Sequence, residues 1–175
     1  MPLEFSPDAY KEFEETIRRY PKKEAAMLPV LYLAQREFGY LGAEAVDYVA
    51  KLMGQPAARV AGVVTFYTMF NTKPIGRYHI QVCRTLSCAL AGAEKVTESI
   101  KRKLRIELGQ TTPDGIFTLS EVECLASCGT APMMQVNDDY YENLTPETVA
   151  QILENLRRRE TRAATGNGGP AGPRS

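Results

Sequence analysis

Residues 77–104 read RYHIQVCRTLSCALAGAEKVTESIKRKL and carry the clearest change of periodicity in the chain. Tyr78, Ile80 and Val82 alternate with Arg77, His79 and Gln81, the period-two pattern of a strand with one buried face. Leu90, Ala93, Val96, Thr97, Ile100 and Leu104 then recur at helical spacing. Cys83 closes the strand and Cys88 immediately precedes the helix, so the order is strand, thiol-bearing loop, helix.

Downstream, Thr111-Thr112-Pro113-Asp114-Gly115 is turn chemistry, and an extended stretch from Ile116 to about Glu123 delivers Cys124 and Cys128. Pro132 to Val136 and Tyr140 to Glu142 read as a hairpin around Asn137-Asp138-Asp139. A last helix starts at Thr145-Pro146-Glu147, carries Val149, Ile152, Leu153 and Leu156 on its apolar face, and brings Arg157 to Arg159 towards its C-terminus. Helices packed on a mixed sheet make this half α+β.

Upstream, four helical stripes follow one another. Ser6-Pro7-Asp8 starts the first, with Tyr10, Phe13, Ile17 and Tyr20 on one face. Leu28, Leu31, Tyr32, Gln35 and Phe38 form the second, up to Gly39, and Pro29 must sit in its first turn or kink it. Val46, Val49, Ala50 and Met53 end at Gly54; Pro56 opens the fourth, with Val60, Ala61 and Val64 together. These read as an antiparallel helical bundle over residues 1–75. The run Val63 to Phe70 is more apolar than one helical face requires, so part of it should cover another surface, in the second half or in a partner. Residues 76–160 form the second domain, and the Gly- and Pro-rich tail 161–175 is expected to be disordered.

Composition narrows the function. Lys plus Arg and Asp plus Glu both total 21 in 175 residues, so no global basic field favours nucleic acid. No apolar run approaches the roughly 18 to 20 residues that span a bilayer, so no direct membrane insertion is expected. MPLEFSPDAYKEFEE carries acidic residues early and resembles neither a secretory signal nor a transit peptide, which makes a reducing cytoplasm the default compartment. In that compartment metal binding, rather than two disulfides, is the leading use of four thiols.

Four residues separate Cys83 from Cys88, three separate Cys124 from Cys128, and both pairs follow a strand. Four thiolates satisfy either one tetrahedral zinc or the two irons of a 2Fe-2S centre. Zinc knuckles usually pair ligands across two residues, so the wide first spacing favours the cluster, while a zinc-stabilised structural adaptor stays as the non-redox alternative. A thiol-disulfide oxidoreductase would want the two-residue gap that neither pair has. A 2Fe-2S unit held by four thiolates is anionic, and Cys88 at a helix N-terminus with the loop amides of residues 84–87 and 129–130 would offset that charge. Arg84 either tunes the centre or is a solvated loop arginine, and the lone His79 makes no catalytic set. No phosphate-cradling loop or dinucleotide fingerprint is present, so neither NADH nor flavin is expected on this chain.

HIQVCRTLSCALAGAE, TPDGIFTLSEVECLASCGTAPMMQVNDDYYENLTPE and GVVTFYTMFNTKPIGRYHIQVC closely resemble the E-subunit (24 kDa) family of NADH-quinone oxidoreductase, respiratory complex I, over about residues 10 to 160. The resemblance implies an N-terminal helical bundle followed by a thioredoxin-like 2Fe-2S ferredoxin domain. It implies one 2Fe-2S cluster on Cys83, Cys88, Cys124 and Cys128, with no catalytic residue or substrate site on this chain. It further implies a flavin subunit that binds FMN and NADH and passes single electrons to the cluster, alongside the other peripheral-arm subunits on the cytoplasmic face of the bacterial inner membrane. The same module occurs in NAD-linked hydrogenases and formate dehydrogenases, which are the alternative hosts.

Overall fold

The Ser6 hydroxyl accepts from the Ala9 amide at 3.3 Å and Pro7 takes the first helical position, where no amide donor is needed, so helix α1 runs Pro7–Arg18. The computed structural model describes residues 3–164, which divide into two compact units between Pro74 and Ile75. In α1 the buried residues are Ala9 and Phe13. Tyr10 and Tyr20, expected on the apolar stripe, are 44% and 38% exposed because the i, i+4 pair occupies the inward face.

A 3-10 turn, Lys23–Ala26, leads into α2, Met27–Phe38. Pro29 is its third residue, inside the first turn where amides lack intrahelical acceptors, so the helix needs no kink. Its buried face is Met27, Val30, Leu31, Leu33 and Ala34, rotated from the expected stripe so that Tyr32 faces outward. α3, Ala43–Met53, buries Val46, Val49, Ala50 and Met53 as expected and ends at Gly54, whose φ of 65° is the left-handed stop that glycine allows. α4, Ala57–Phe66, buries Val60 and Val64, with Pro56 capping just ahead of it. α2 packs on α1, α3 and α4. Phe5 stacks on Phe38 at 5.4 Å, meets the Tyr48 ring edge-on at 5.1 Å, and its amide donates to the Tyr48 hydroxyl at 2.9 Å. Of the apolar run 63–70, Val64 and Phe70 are buried, whereas Phe66 is 75% exposed.

The second unit is built on strands β1, Tyr78–Cys83; β2, Phe117–Val122; β3, Met134–Val136; and β4, Asp139–Tyr141, in the order β2-β1-β3-β4. β1 is parallel to β2 and antiparallel to β3. β3 and β4 form the expected hairpin, with Asn137 turning at φ 53°. The parallel pair requires a crossover, which α5, Leu86–Leu90, and α6, Ala93–Leu104, supply. The single helical stripe of the sequence is thus two helices: Gly92 at φ 97° separates them, and Leu90, placed on that stripe, is 81% exposed.

α7, Pro146–Ala164, packs against α6. Its start is a reciprocal cap, with the Thr148 amide donating to the Thr145 hydroxyl at 3.2 Å and the Thr145 amide to the Thr148 hydroxyl at 2.9 Å. The helix therefore continues through residues 161–164, where the disordered tail was expected to begin; the rest of that tail lies outside the described residues. Ile80, Val82, Ile100, Leu119, Met133, Val149 and Leu153 belong to one buried core, separate from that of the first unit. Gly76 feeds β1 beside β2 so closely that a Cβ there would lie 2.8 Å from the Phe117 carbonyl carbon.

Candidate metal centre

Parallel strands end on the same side of a sheet, and here they end in step. Cys83, last in β1, pairs with Val122, last in β2, and the Arg84 amide donates to the Val122 carbonyl at 3.0 Å. Two residues beyond Val122 stands Cys124. Cys88 is the third residue of α5, and Cys128 opens a 3-10 turn, Cys128–Thr130. All four are free thiols; Cys83 and Cys88 are buried, Cys124 and Cys128 exposed.

Donors converge on the sulfurs. The Thr85 hydroxyl lies 3.3 Å from Cys83 Sγ, and the Ala126 amide donates to Cys124 Sγ at 3.3 Å. Burial pushes the Cys83 thiol up, but the Thr85 hydroxyl, the Leu125 and Thr85 amides and the neighbouring Cys88 together hold it below the ordinary cysteine value. Burial pushes Cys88 up, reinforced by Cys83 and by the charge of Cys128, while the Met133 amide works against them.

A 2Fe-2S cluster spreads its four thiolates over two irons. Thiols in two pairs, with amides directed at the sulfurs and one pair buried, fit that group, because the donors offset the charge that the thiolates and cluster bring together.

Three expectations shift in detail. The Arg84 amide, expected among the donors, is spent on the Val122 carbonyl. The Thr130 amide donates to the Ser127 carbonyl at 3.2 Å, so that amide is spent inside the 3-10 turn. Arg84 donates from Nε and Nη2 to Glu123 Oε1, at 3.1 and 2.7 Å, so its charge is paired on the surface. Several contributors were not singled out from the sequence. The Leu125, Ala126 and Met133 amides belong to residues whose side chains give no signal, and Tyr140 and Glu142 stand 12 or more residues along the chain from Cys128. The Tyr140 hydroxyl donates to the Leu125 carbonyl at 3.1 Å; the Ser127 and Thr130 hydroxyls both donate to Glu142 Oε1, the latter at 2.6 Å.

A family model described as thioredoxin-like 2Fe-2S ferredoxin matches residues 13–157. The E subunit of the NADH-quinone oxidoreductase of Rickettsia conorii is 48% identical over 147 residues, 82% of this chain and 88% of that protein. The corresponding E-2 subunit of Rhizobium meliloti is 44% identical over 150 residues, covering 86% and 89%. Among solved structures, an NAD+-reducing NiFe-hydrogenase in the air-oxidised state superposes with a TM-score of 0.67 over 76% of this chain and 23% of that one. At 21% identity that likeness bears on the fold alone.

Proposed function

This chain belongs to the thioredoxin-like 2Fe-2S ferredoxin family, among the E subunits of NADH-quinone oxidoreductase, and from that premise we propose that Cys83, Cys88, Cys124 and Cys128 hold its single 2Fe-2S cluster. The chain is an electron-carrier subunit of that oxidoreductase. One observation carries the assignment of ligands: the in-step parallel register of β1 and β2, which brings a cysteine pair from each strand's end to one side of the sheet.

The bound cluster supplies a one-electron centre. The protein's part is to arrange the four sulfurs and to offset the charge they bring together. The amides of Thr85, Leu125, Ala126 and Met133 and the Thr85 hydroxyl stabilise thiolate charge where it concentrates. Burial of Cys83 and Cys88 excludes water from one pair, while exposure of Cys124 and Cys128 leaves the other side accessible to an electron donor. That donor is FMN on a flavin subunit that also binds NADH. No helix among the described residues is long and apolar enough to cross a membrane, in keeping with attachment to the cytoplasmic face of the bacterial membrane through neighbouring peripheral-arm subunits. A diaphorase role in an NAD-linked hydrogenase finds support in fold alone, whereas the respiratory host has relatives at 44–48% identity.

The test is anaerobic purification with iron, sulfide and zinc determined per chain, and visible and low-temperature EPR spectra before and after dithionite. About two irons and two sulfides, with an EPR signal appearing on reduction, is the expected result. Stoichiometric zinc without colour would replace this reading with a structural adaptor.

A further inference from the structure

The segment that carries Cys124 and Cys128 has little regular structure of its own: between β2 and β3 it forms only the 3-10 turn Cys128–Thr130. No strand or long helix of its own holds its shape, so contacts from elsewhere must. The end of the β3–β4 hairpin does so at three points. The Tyr140 hydroxyl donates to the Leu125 carbonyl at 3.1 Å, between the two cysteines of the loop. The Asn143 amide donates to the Thr130 carbonyl at 2.7 Å. Between them, Ser127 and Thr130, which bracket Cys128, turn their hydroxyls onto one oxygen of Glu142 and stand 2.8 Å from each other.

We propose that Glu142 is a positioning residue for the cluster-binding loop, its carboxylate anchoring the Ser127 and Thr130 hydroxyls so that Cys128 is presented at a fixed place; this rests on the ligand assignment above. A carboxylate is a poor neighbour for an anionic centre on electrostatic grounds alone, since like charges raise each other's cost. Its compensating property is acceptance: hydrogen bonds from hydroxyls to an ionised carboxylate are about twice as strong as neutral ones. One oxygen receiving both hydroxyls ties together the residue before Cys128 and the residue two after it. Outer partners of this kind orient ligands they never touch.

Charge and acceptance separate cleanly by substitution. Glu142→Gln keeps an acceptor oxygen and removes the charge, Glu142→Ala removes both, and Thr130→Val removes one donor. The full-length chain carrying its cluster is mixed with an iron chelator, and loss of visible absorption is timed alongside EPR of the reduced protein and thermal melting of the cluster-free protein. Glu142→Ala is expected to release iron about 10-fold faster than wild type and to broaden the EPR signal. Thr130→Val should move both readouts in the same direction, and Glu142→Gln, which keeps the acceptor but loses its charge assistance, should fall between wild type and Glu142→Ala. Melting of the cluster-free protein should not move, because the carboxylate is exposed. Wild-type release rates in Glu142→Ala and Thr130→Val would overturn the anchor while leaving the cluster in place. So would a Glu142→Gln variant as labile as Glu142→Ala, which would trace the effect to charge. A wild-type chain without iron and sulfide would overturn the ligand assignment itself, and the anchor with it.

Discussion

Ala126 holds φ at 62° within the loop that separates Cys124 from Cys128, a conformation that costs a non-glycine residue about 1–2 kcal/mol. The geometry directs its amide at Cys124 Sγ. Ala126→Pro would delete that donor and force φ negative, so the variant is expected to lose its cluster, read as loss of visible absorption per chain. Ala126→Gly relieves the strain at some cost in unfolded-chain entropy and should keep the cluster, and a colourless Ala126→Gly protein would contradict this account. His79 is a second case of a residue whose setting matters more than its type. Burial in β1 lowers its pKa from 6.5, and its Nε2 lies 2.7 Å from the Ser120 hydroxyl. The folded state thus prefers the neutral ring. Its contribution to stability is complete above pH 6.5 and is lost as pH falls through the depressed folded value, because the unfolded chain takes up the proton first. Denaturant midpoints measured between about pH 8 and pH 5 should fall on acidification, and His79→Gln should flatten that part of the profile. An unchanged slope would mean that other groups control it.

The helices show how far periodicity reaches. α3 buries the residues its stripe names, because a glycine stop and regular spacing leave no other face apolar. α1 and α2 each rotate by part of a turn, burying Ala9 and Leu33 while exposing Tyr10 and Tyr32. Alanine and leucine carry no polar group into the core, whereas the tyrosine hydroxyl favours water. The split between α5 and α6 was hidden for a related reason: apolar residues continue through it, and Gly92 marks it only by a positive φ that a sequence does not display. α7 was the clearest of all, since Thr145, Pro146 and Glu147 each serve a different need of a helix start. Thr145→Ala should destabilise the chain by about 1 kcal/mol, seen in the denaturant midpoint, with the iron content unchanged; no change would mean that Thr148 and the packing of α7 suffice.

Across the whole molecule, two separate cores lie in two units, and all four cysteines fall in the second. A ligand that binds only the folded form stabilises the unit that holds it. Stripping iron and sulfide is therefore expected to raise hydrogen exchange in residues 117–136 and to leave α2 to α4 unaffected. Equal deprotection of both units would show that the helical unit depends on the cluster as well.

The amino-acid sequence by itself determined the element order apart from the break between α5 and α6, the strand-to-thiol-to-helix pattern at Cys83 and Cys88, the second pair at Cys124 and Cys128, and the helix starts at Ser6 and Thr145. These are local: each is set by spacing, turn chemistry or capping within a few residues. Tertiary structure alone decided that β1 and β2 end on the same side of the sheet, each leading into a cysteine pair, because their in-step register is a pairing between segments 39 residues apart. It also decided that the Ala126 amide faces Cys124 Sγ, and that Tyr140 and Glu142 grip the second cysteine loop. Hydrogen bonds of that kind follow from where the chain returns in space, and neither composition nor periodicity encodes the return.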